Sequence, residues 1–127
     1  LYDFQASGIS AIVPVPLHPR RLKERGFNQV EMLSQVLARY LNLPVLPALE
    51  RVRDTHAQFD LPRAKRFANV EGAFKITNPK LIEGRRIMLL DDIYTTGATV
   101  GECARELKRA GAKRIEVVTL SRAIENN

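Results

Sequence analysis

The segment covering residues 86–120 constrains the fold of this chain more than any other part. Its continuous apolar run at residues 87–90 is typical of a parallel strand that is covered on both faces. A helical pattern follows over about residues 98–110, with Gly111 as a C-terminal stop, and residues 114–120 form a second buried strand pattern. Strand, helix and strand in this order imply a right-handed crossover and a parallel sheet that binds ligands at its carboxyl edge. We therefore predict an α/β, Rossmann-like three-layer domain with a mainly parallel sheet.

The rest of the sequence continues this alternation. Residues 11–15 and 44–49 are predicted strands, and residues 72–76 resume an extended pattern. Asn28 resembles an N-cap with Glu31 three residues later, which predicts a capped helix. Apolar residues at helical spacing form the predicted buried face of that helix: Val30, Leu33, Leu37, Tyr40 and Leu41. Residues 53–69 follow neither period and carry many charges, so we predict an exposed excursion there.

A polar cluster follows the central predicted strand. Asp91 and Asp92 offer carboxylate oxygens that suit vicinal ribose hydroxyls, directly or through a hydrated Mg²⁺ ion. Residues 95–99 offer hydroxyls, a glycine and a helix N-terminus, where unpaired N–H groups and the helix dipole favour a phosphate. We expect both carboxylates at the water-exposed end of the strand. The alternative is a buried strand whose turn only caps the next helix.

Residues 91–99 read DDIYTTGAT, which closely resembles the phosphoribosyl-diphosphate signature of the type I phosphoribosyltransferases. The resemblance implies that Asp91 and Asp92 are the catalytic carboxylates, hold the ribose hydroxyls and contact a metal mainly through water or ligand. It also implies a ribose and 5′-phosphate cradle formed by Tyr94, Thr95, Thr96, Gly97, Ala98 and Thr99. The implied ligands are phosphoribosyl diphosphate and Mg²⁺.

Two further blocks are similar to the ComF/GntX branch of this family, a competence-associated group. Residues 13–29 read VPVPLHPRRLKERGFNQ, and residues 51–74 follow the pattern R-x-R-x-T-x-x-Q and then R-x-x-N-V-x-G-A-F. In the first block the resemblance indicates diphosphate contacts from Leu17, His18, Arg20, Arg21 and Arg25. In the second it implies a flexible hood at about residues 51–76 that covers the site, with candidate residues Arg53, Gln58, Arg66 and Asn69. Alternatively, the basic residues are solvated loops and His18 is a structural hydrogen-bonding group.

The resemblance leads to two classes of function. The first is a Mg²⁺-dependent phosphoribosyltransferase with an unknown nitrogenous acceptor. The alternative is a non-catalytic ligand-sensing or DNA-uptake protein of the ComF type that would bind single-stranded DNA or DNA-uptake proteins. A net charge of +6, from 20 Lys and Arg against 14 Asp and Glu, suits either a polyanionic small ligand or nucleic acid. Type I relatives are usually dimers, so a homodimer is a further expectation.

Length and composition set the remaining expectations. With 127 residues, of which 45% are hydrophobic, we expect a single domain over residues 1–127. No apolar run reaches the ~20 residues of a membrane span and no secretory signal is visible, so we expect a cytoplasmic protein. Cys103 is the only cysteine, and its helical spacing with Val100 and Leu107 predicts a core-facing thiol. The zinc module common in ComF-type proteins is therefore absent from this sequence, and we expect the transferase-like domain alone.

Overall fold

The computed structural model describes residues 8–17, 23, 26, 28–53, 62–94 and 97–122. The elements in these ranges are, in chain order, β1 (Ala11–Pro14), α1 (Gln29–Leu41), β2 (Leu49–Arg51), α2 (Arg63–Val70), β3 (Phe74–Ile76), a short 3-10 helix (Pro79–Leu81), β4 (Arg86–Tyr94), α3 (Ala98–Arg109) and β5 (Arg114–Arg122). Strands and helices are interspersed along the chain, which confirms the predicted α/β class.

Strands β1, β4 and β5 form a parallel sheet with β4 in the middle. The register aligns Val13 of β1 with Leu89 of β4, and Leu90 of β4 with Val118 of β5. The strand that was predicted to be central is therefore central. Both neighbours run in the same direction as β4, which is the arrangement that gathers ligand-binding loops at one edge.

The strand predicted at residues 44–49 is largely absent. These residues meet the outer side of β1 through a single parallel bridge between Ile12 and Val45, and β2 begins only at Leu49. Pro44 and Pro47 lie within the predicted span. Because proline has no N–H group to donate to a neighbouring strand, a longer ladder is disfavoured here.

Successive side chains of β4 point to opposite faces of the sheet, and each face has its own apolar cluster. The cluster shared with α3 includes Ile87, Leu89, Cys103 and Leu107. The cluster shared with α1 includes Met88, Leu90, Val30 and Ala38. Helices thus cover both faces, which confirms the three-layer prediction. The thiol of Cys103 is fully buried, as predicted.

Strands β2 and β3 form a separate antiparallel pair, with Leu49 opposite Ile76 and Arg51 opposite Phe74. We call this pair the hood base, because it bounds the predicted hood. Between its strands lies α2, in a region predicted to be irregular, so that part of the prediction is wrong. Val70 is buried, whereas the other described side chains of α2 are exposed or half-buried. A helix of eight residues is too short to show a clear apolar period in the sequence.

Helix α1 begins at its predicted cap, where the Asn28 Oδ1 atom accepts a hydrogen bond of 3.2 Å from the Glu31 N–H group. The helix ends at Asn42, which has a left-handed φ of 56°. Its length is 13 residues. None of the helices in the described ranges is both long and apolar enough to cross a membrane.

The outer face of α1 carries large apolar side chains. Met32, Val36 and Tyr40 are 59%, 56% and 86% exposed, so the prediction that Tyr40 is buried is wrong. We call these three residues, spaced four apart, the α1 stripe. The buried face instead includes Ser34, whose Oγ atom donates a hydrogen bond of 2.8 Å to the carbonyl oxygen of Val30. A small, internally satisfied side chain lets the helix lie close to the sheet.

Strand β5 is less buried than predicted. Among the described strands it pairs only with β4. Val117 is 43% exposed, and Ile115 and Val118 are half-buried. The apolar composition of β5 correctly predicted a strand, but it did not distinguish a strand covered on both faces from one at the border of the described sheet.

Candidate functional site

Asp91 lies towards the carboxyl end of β4, aligned with Thr119 of β5. It follows Leu89 by two residues, so it lies on the sheet face that α3 covers. Its side chain is only 7% exposed, and the predicted position at a water-exposed strand end is therefore wrong for Asp91. The cause is the length of the strand: β4 continues to Tyr94, which places Asp91 inside the sheet. A buried carboxylate at such a position must be compensated by polar or charged groups.

The turn predicted to bind phosphate leads directly into α3. Gly97 is its N-cap and has a φ of 86°, a conformation that favours glycine. The carbonyl oxygen of Gly97 accepts a hydrogen bond of 2.7 Å from the N–H group of Gly101, which closes the first turn. Ala98 is 2% exposed and Thr99 is half-buried. The N-terminus of α3 thus follows the carboxyl end of β4, and its dipole and N–H groups favour an anion there.

The first predicted loop leaves the sheet beside Asp91. The N–H group of Val15 donates a hydrogen bond of 2.9 Å to the carbonyl oxygen of Leu90, so the pairing of β1 with β4 extends one residue beyond Pro14. Leu17, two residues later, is half-buried. The convergence of this loop with Asp91, although they are far apart in the sequence, is what a parallel sheet requires and what the sequence predicted.

One described hood residue links the two sides of the predicted hood. The Nη2 atom of Arg53, whose side chain is exposed, donates a hydrogen bond of 2.6 Å to the carbonyl oxygen of Glu71. The two ends of the predicted hood are therefore joined. Asn69 is half-buried near the end of α2.

Several predicted site residues lie outside the described part of the chain: His18, Arg20, Arg21, Arg25, Gln58, Thr95 and Thr96. For three others the backbone is described but the side chain is not: Arg66, Asp92 and Tyr94. The roles given to these residues stay predictions.

Sequence reasoning missed a group of charged residues on the face that α3 covers. The guanidinium carbon of Arg51 lies 4.7 Å from the centre of the Phe74 ring, a distance typical of a cation–π contact. Glu102 of α3 is 8% exposed. Its Oε1 atom accepts a hydrogen bond of 3.4 Å from the Gly72 N–H group and lies 3.5 Å from Arg105. Arg51 and Gly72 belong to the quoted family pattern, which was the available signal, whereas Glu102 carried none.

The Cys103 thiol lies among these charges. Burial is the main cause that raises the pKa of Cys103 well above its ordinary value, and the negative charge of Asp91 raises it further. Arg51 acts in the opposite direction and lowers the pKa. A neutral, buried thiol is not a nucleophile, so Cys103 serves packing.

Comparison with known proteins defines the family. A family model described as phosphoribosyl transferase domain matches residues 30–126. Competence protein F of Haemophilus influenzae is 40% identical over 115 residues, which cover 89% of this chain and 50% of that protein. DNA utilization protein YhgH of Escherichia coli K12 is 40% identical over 114 residues, covering 89% and 49%. Competence protein ComFC of Streptococcus pneumoniae is 40% identical over 111 residues, covering 87% and 47%. The chain thus spans about half the length of these relatives.

Solved structures share the fold at lower identity. Glutamine phosphoribosylpyrophosphate amidotransferase from B. subtilis, complexed with ADP and GMP, has a TM-score of 0.60 and 21% identity, over 88% of this chain and 22% of that chain. An adenine phosphoribosyltransferase has a TM-score of 0.59 and 15% identity, over 91% and 58%. Together with the predicted motifs and the parallel sheet, these matches show that the chain belongs to the type I phosphoribosyltransferase family as a ComF-type member.

Proposed function

We propose that this domain binds phosphoribosyl diphosphate with Mg²⁺ at the carboxyl edge of its sheet and transfers the phosphoribosyl group to a nitrogenous acceptor in the cytoplasm. The observation that carries the proposal is the succession of Asp91 on the central strand and Gly97 at the N-terminus of α3. These two groups suit the two ends of a ribose phosphate.

The electrostatic character of the two groups is complementary. A carboxylate accepts hydrogen bonds from a vicinal diol, whereas the N-terminus of a helix attracts a phosphate. A ligand that carries both a diol and a phosphate is stabilised by both the carboxylate and the helix N-terminus. An anion without a diol would be repelled by Asp91. Because Asp91 is only 7% exposed, the proposal requires the ligand to be enclosed by the surrounding chain. Enclosure also strengthens each hydrogen bond, since the local dielectric constant is low.

The proposed chemistry needs no covalent nucleophile. The bond between the anomeric carbon and the diphosphate breaks, the diphosphate leaves with the electron pair, and the acceptor nitrogen forms the new bond while positive charge builds on the ribose. A bound Mg²⁺ ion would share the negative charge of the diphosphate. Within the described ranges, no group of three His, Cys, Asp or Glu side chains is arranged to hold a metal. We assign the ion mainly to the diphosphate and water, and the hard carboxylate oxygens of Asp91 and Asp92 are fitting protein ligands.

The test is calorimetric titration of the domain with phosphoribosyl diphosphate in the presence of Mg²⁺, and then with Mg²⁺ withheld. We expect saturable binding that weakens without the metal. Ribose 5-phosphate and free diphosphate are the matched partial ligands, and each should bind more weakly than the whole. Release of diphosphate in a screen of bases and amines would identify a transferase. Binding with no release for any acceptor would favour a ligand sensor, and no saturable binding would contradict the proposal.

A second candidate function is favoured by the relatives, which are named Competence protein F and DNA utilization protein YhgH. On this view the domain takes part in DNA uptake, and its net charge of +6 attracts single-stranded DNA or an acidic partner. DNA binding should then weaken steeply with salt, and replacing Arg63, Lys65 and Arg66 with alanine should reduce the salt dependence. Anisotropy of a labelled oligonucleotide measures both effects.

A further inference from the structure

We propose that the domain binds the phosphate backbone of DNA through a basic patch at the amino edge of its sheet, the edge at which β1, β4 and β5 begin. This edge is opposite the carboxyl edge that holds the candidate ribose-phosphate site. The inference deepens the second candidate function and rests on it, because it assigns the surface that DNA would contact.

Two turns that are distant in the sequence meet at the amino edge. The N–H group of Lys113 donates a hydrogen bond of 2.8 Å to the carbonyl oxygen of Arg85. Arg86 and Arg114, the first residues of β4 and β5, are directly aligned in the sheet. The turn before β4 and the turn between α3 and β5 therefore lie side by side.

These two turns and the elements before them concentrate positive charge. Residues 80–86 and 106–116 contain seven basic side chains and three acidic ones, an excess of four, against a net charge of +6 for the whole chain. We call the basic side chains of these two segments the amino-edge patch: Lys80, Arg85, Arg86, Lys108, Arg109, Lys113 and Arg114.

Ion pairs compensate two of these cations within the described ranges. Arg109 lies 3.3 Å from the Oε1 atom of Glu106. Arg114 lies 2.6 Å from the Oε1 atom of Glu116. Both contacts are local, since each partner is two or three residues away in the sequence, and they leave the rest of the patch with an excess of positive charge.

Three lysines of the patch are exposed, and no ion pair involves them in the described part of the chain: Lys80, Lys108 and Lys113. Lys108 belongs to the last turn of α3, where the helix dipole favours a cation. Lys80 and Lys113 lie outside this helix and gain nothing from its dipole. Stability of the fold therefore accounts for one of the three charges, and two are available to a ligand.

The arrangement of the patch suits a polymer of phosphates. Its cations are distributed over the 3-10 helix, the end of α3 and the starts of two strands, so they do not converge on one small anion. Like charges that are directly opposite on neighbouring strands destabilise a sheet, and a polyanion would compensate the aligned Arg86 and Arg114. Residues 80–86 and 106–116 contain no aromatic residue, so we expect phosphate contacts without base stacking. The name of one relative, DNA utilization protein YhgH, favours DNA as the polymer.

The patch is separate from the candidate ribose-phosphate site. Arg86 begins β4 and Asp91 lies five residues later, a separation of ~16 Å along a strand. Gly97 caps the start of α3, whereas Lys108 lies in its last turn. DNA on the patch would therefore leave the candidate site accessible.

The test is the fluorescence anisotropy of a labelled single-stranded oligonucleotide of mixed sequence. The wild-type domain is compared with a patch variant that combines Lys80→Gln, Lys108→Gln and Lys113→Gln. The variant should unfold at the same urea concentration as the wild type, because these side chains are exposed. Its dissociation constant at low salt should rise at least about tenfold. The slope of log K against log salt concentration should become shallower by about 2, since each lost phosphate contact contributes about 0.7.

The matched control variant combines Lys23→Gln, Arg39→Gln and Lys75→Gln, three exposed cations in other parts of the chain. It loses the same total charge, so its dissociation constant should change less than about threefold, through the long-range field alone. Equal losses for the two variants would overturn the proposal, because binding would then depend on net charge and not on the patch.

Competition locates the DNA relative to the candidate site. Phosphoribosyl diphosphate with Mg²⁺, added at constant ionic strength, should leave the oligonucleotide bound, and its displacement would contradict binding at the amino edge. If the wild-type domain binds no oligonucleotide even at low salt, direct DNA binding fails as a function and this inference fails with it. If the wild-type domain and the patch variant bind equally well, the second candidate function stands and only the assignment of the patch is wrong.

Discussion

The Oε1 atom of Glu102, on α3, accepts a hydrogen bond of 3.4 Å from the backbone N–H group of Gly72, 30 residues earlier. Gly72 lies two residues before the buried Phe74, the first residue of β3 in the hood base, and α3 begins at the turn predicted to bind phosphate. One helix thus connects the end of the predicted hood to the candidate anion site. Glu102 lies four residues after Ala98, the first residue of α3, so about one turn of helix separates the contact with Gly72 from the candidate anion site.

Glu102→Ala should therefore destabilise the domain by about 1–2 kcal/mol, since it removes a buried acceptor from the Gly72 N–H group and a partner from Arg105. Glu106→Ala is the control, because Glu106 pairs with the exposed Arg109 at 3.3 Å and should change stability by only about 0.5 kcal/mol. Urea unfolding measures both. Similar losses for the two variants would show that the contact with Gly72 contributes nothing specific.

The same substitution should have opposite effects at two glycines near the start of α3. Gly97 has a φ of 86°, so Gly97→Ala should destabilise the domain by about 1–2 kcal/mol and weaken ligand binding. Gly101 lies inside the helix, is exposed and has open space around its missing Cβ atom. Gly101→Ala should stabilise the domain by about 0.5–1 kcal/mol. A loss of stability at Gly101 would contradict the assignment of this glycine to a helix interior.

Asp91→Asn, alone or with Asp92→Asn, should raise the dissociation constant for phosphoribosyl diphosphate at least about tenfold, since it removes charge-assisted hydrogen bonds to the diol. The circular dichroism spectrum should remain that of the folded domain, because asparagine has the same shape. Glu116→Gln, which removes the charge of a more exposed carboxylate paired with Arg114, should leave binding unchanged. Global unfolding of the Asp91→Asn variant would favour the alternative in which the carboxylates serve structure alone.

The three side chains of the α1 stripe do not belong to the core formed by the described residues. Val36→Lys should change the free energy of unfolding by about 0.5 kcal/mol or less, because Val36 is 56% exposed. Ala38→Lys, two residues away, should destabilise the domain by several kcal/mol, on the order of the cost of burying a charge, because Ala38 is 8% exposed. Thermal unfolding distinguishes them. A large loss at Val36 would mean that the stripe is covered in solution.

Cys103 should make the stability of the domain fall at alkaline pH. Burial raises the pKa of its thiol in the folded state, so above about pH 8.5 the unfolded chain loses this proton while the folded protein keeps it. The contribution of the protonated Cys103 thiol to stability is therefore fully present below the pKa of the unfolded chain. It is lost as the pH rises above that value, by at most about 1.4 kcal/mol per pH unit. Cys103→Ala should show a shallower decline. The free energy of unfolding is measured by urea unfolding at several pH values between about 8 and 10. If it falls with pH equally steeply in the wild-type domain and in the Cys103→Ala variant, the prediction is contradicted.

The sequence alone was sufficient to predict the structural features that are governed by local interactions. The apolar run of β4, the Asn28 cap and the glycine at the start of α3 each depend on residues within about four positions, so their patterns are visible in the chain. The parallel order of strand, helix and strand follows from the handedness of such units. The family resemblance then implied the ligands, which the fold does not test.

Only the tertiary structure decided which side chains are enclosed. Tyr40 and Ser34 both lie on α1, and their exposure depends on how closely the helix approaches the sheet. Asp91 is buried because β4 continues past it, and Arg51 stacks on Phe74 because two separate segments pair. Burial and charge pairing are set by packing between elements that are distant in the sequence. Local periodicity and spacing therefore do not predict them.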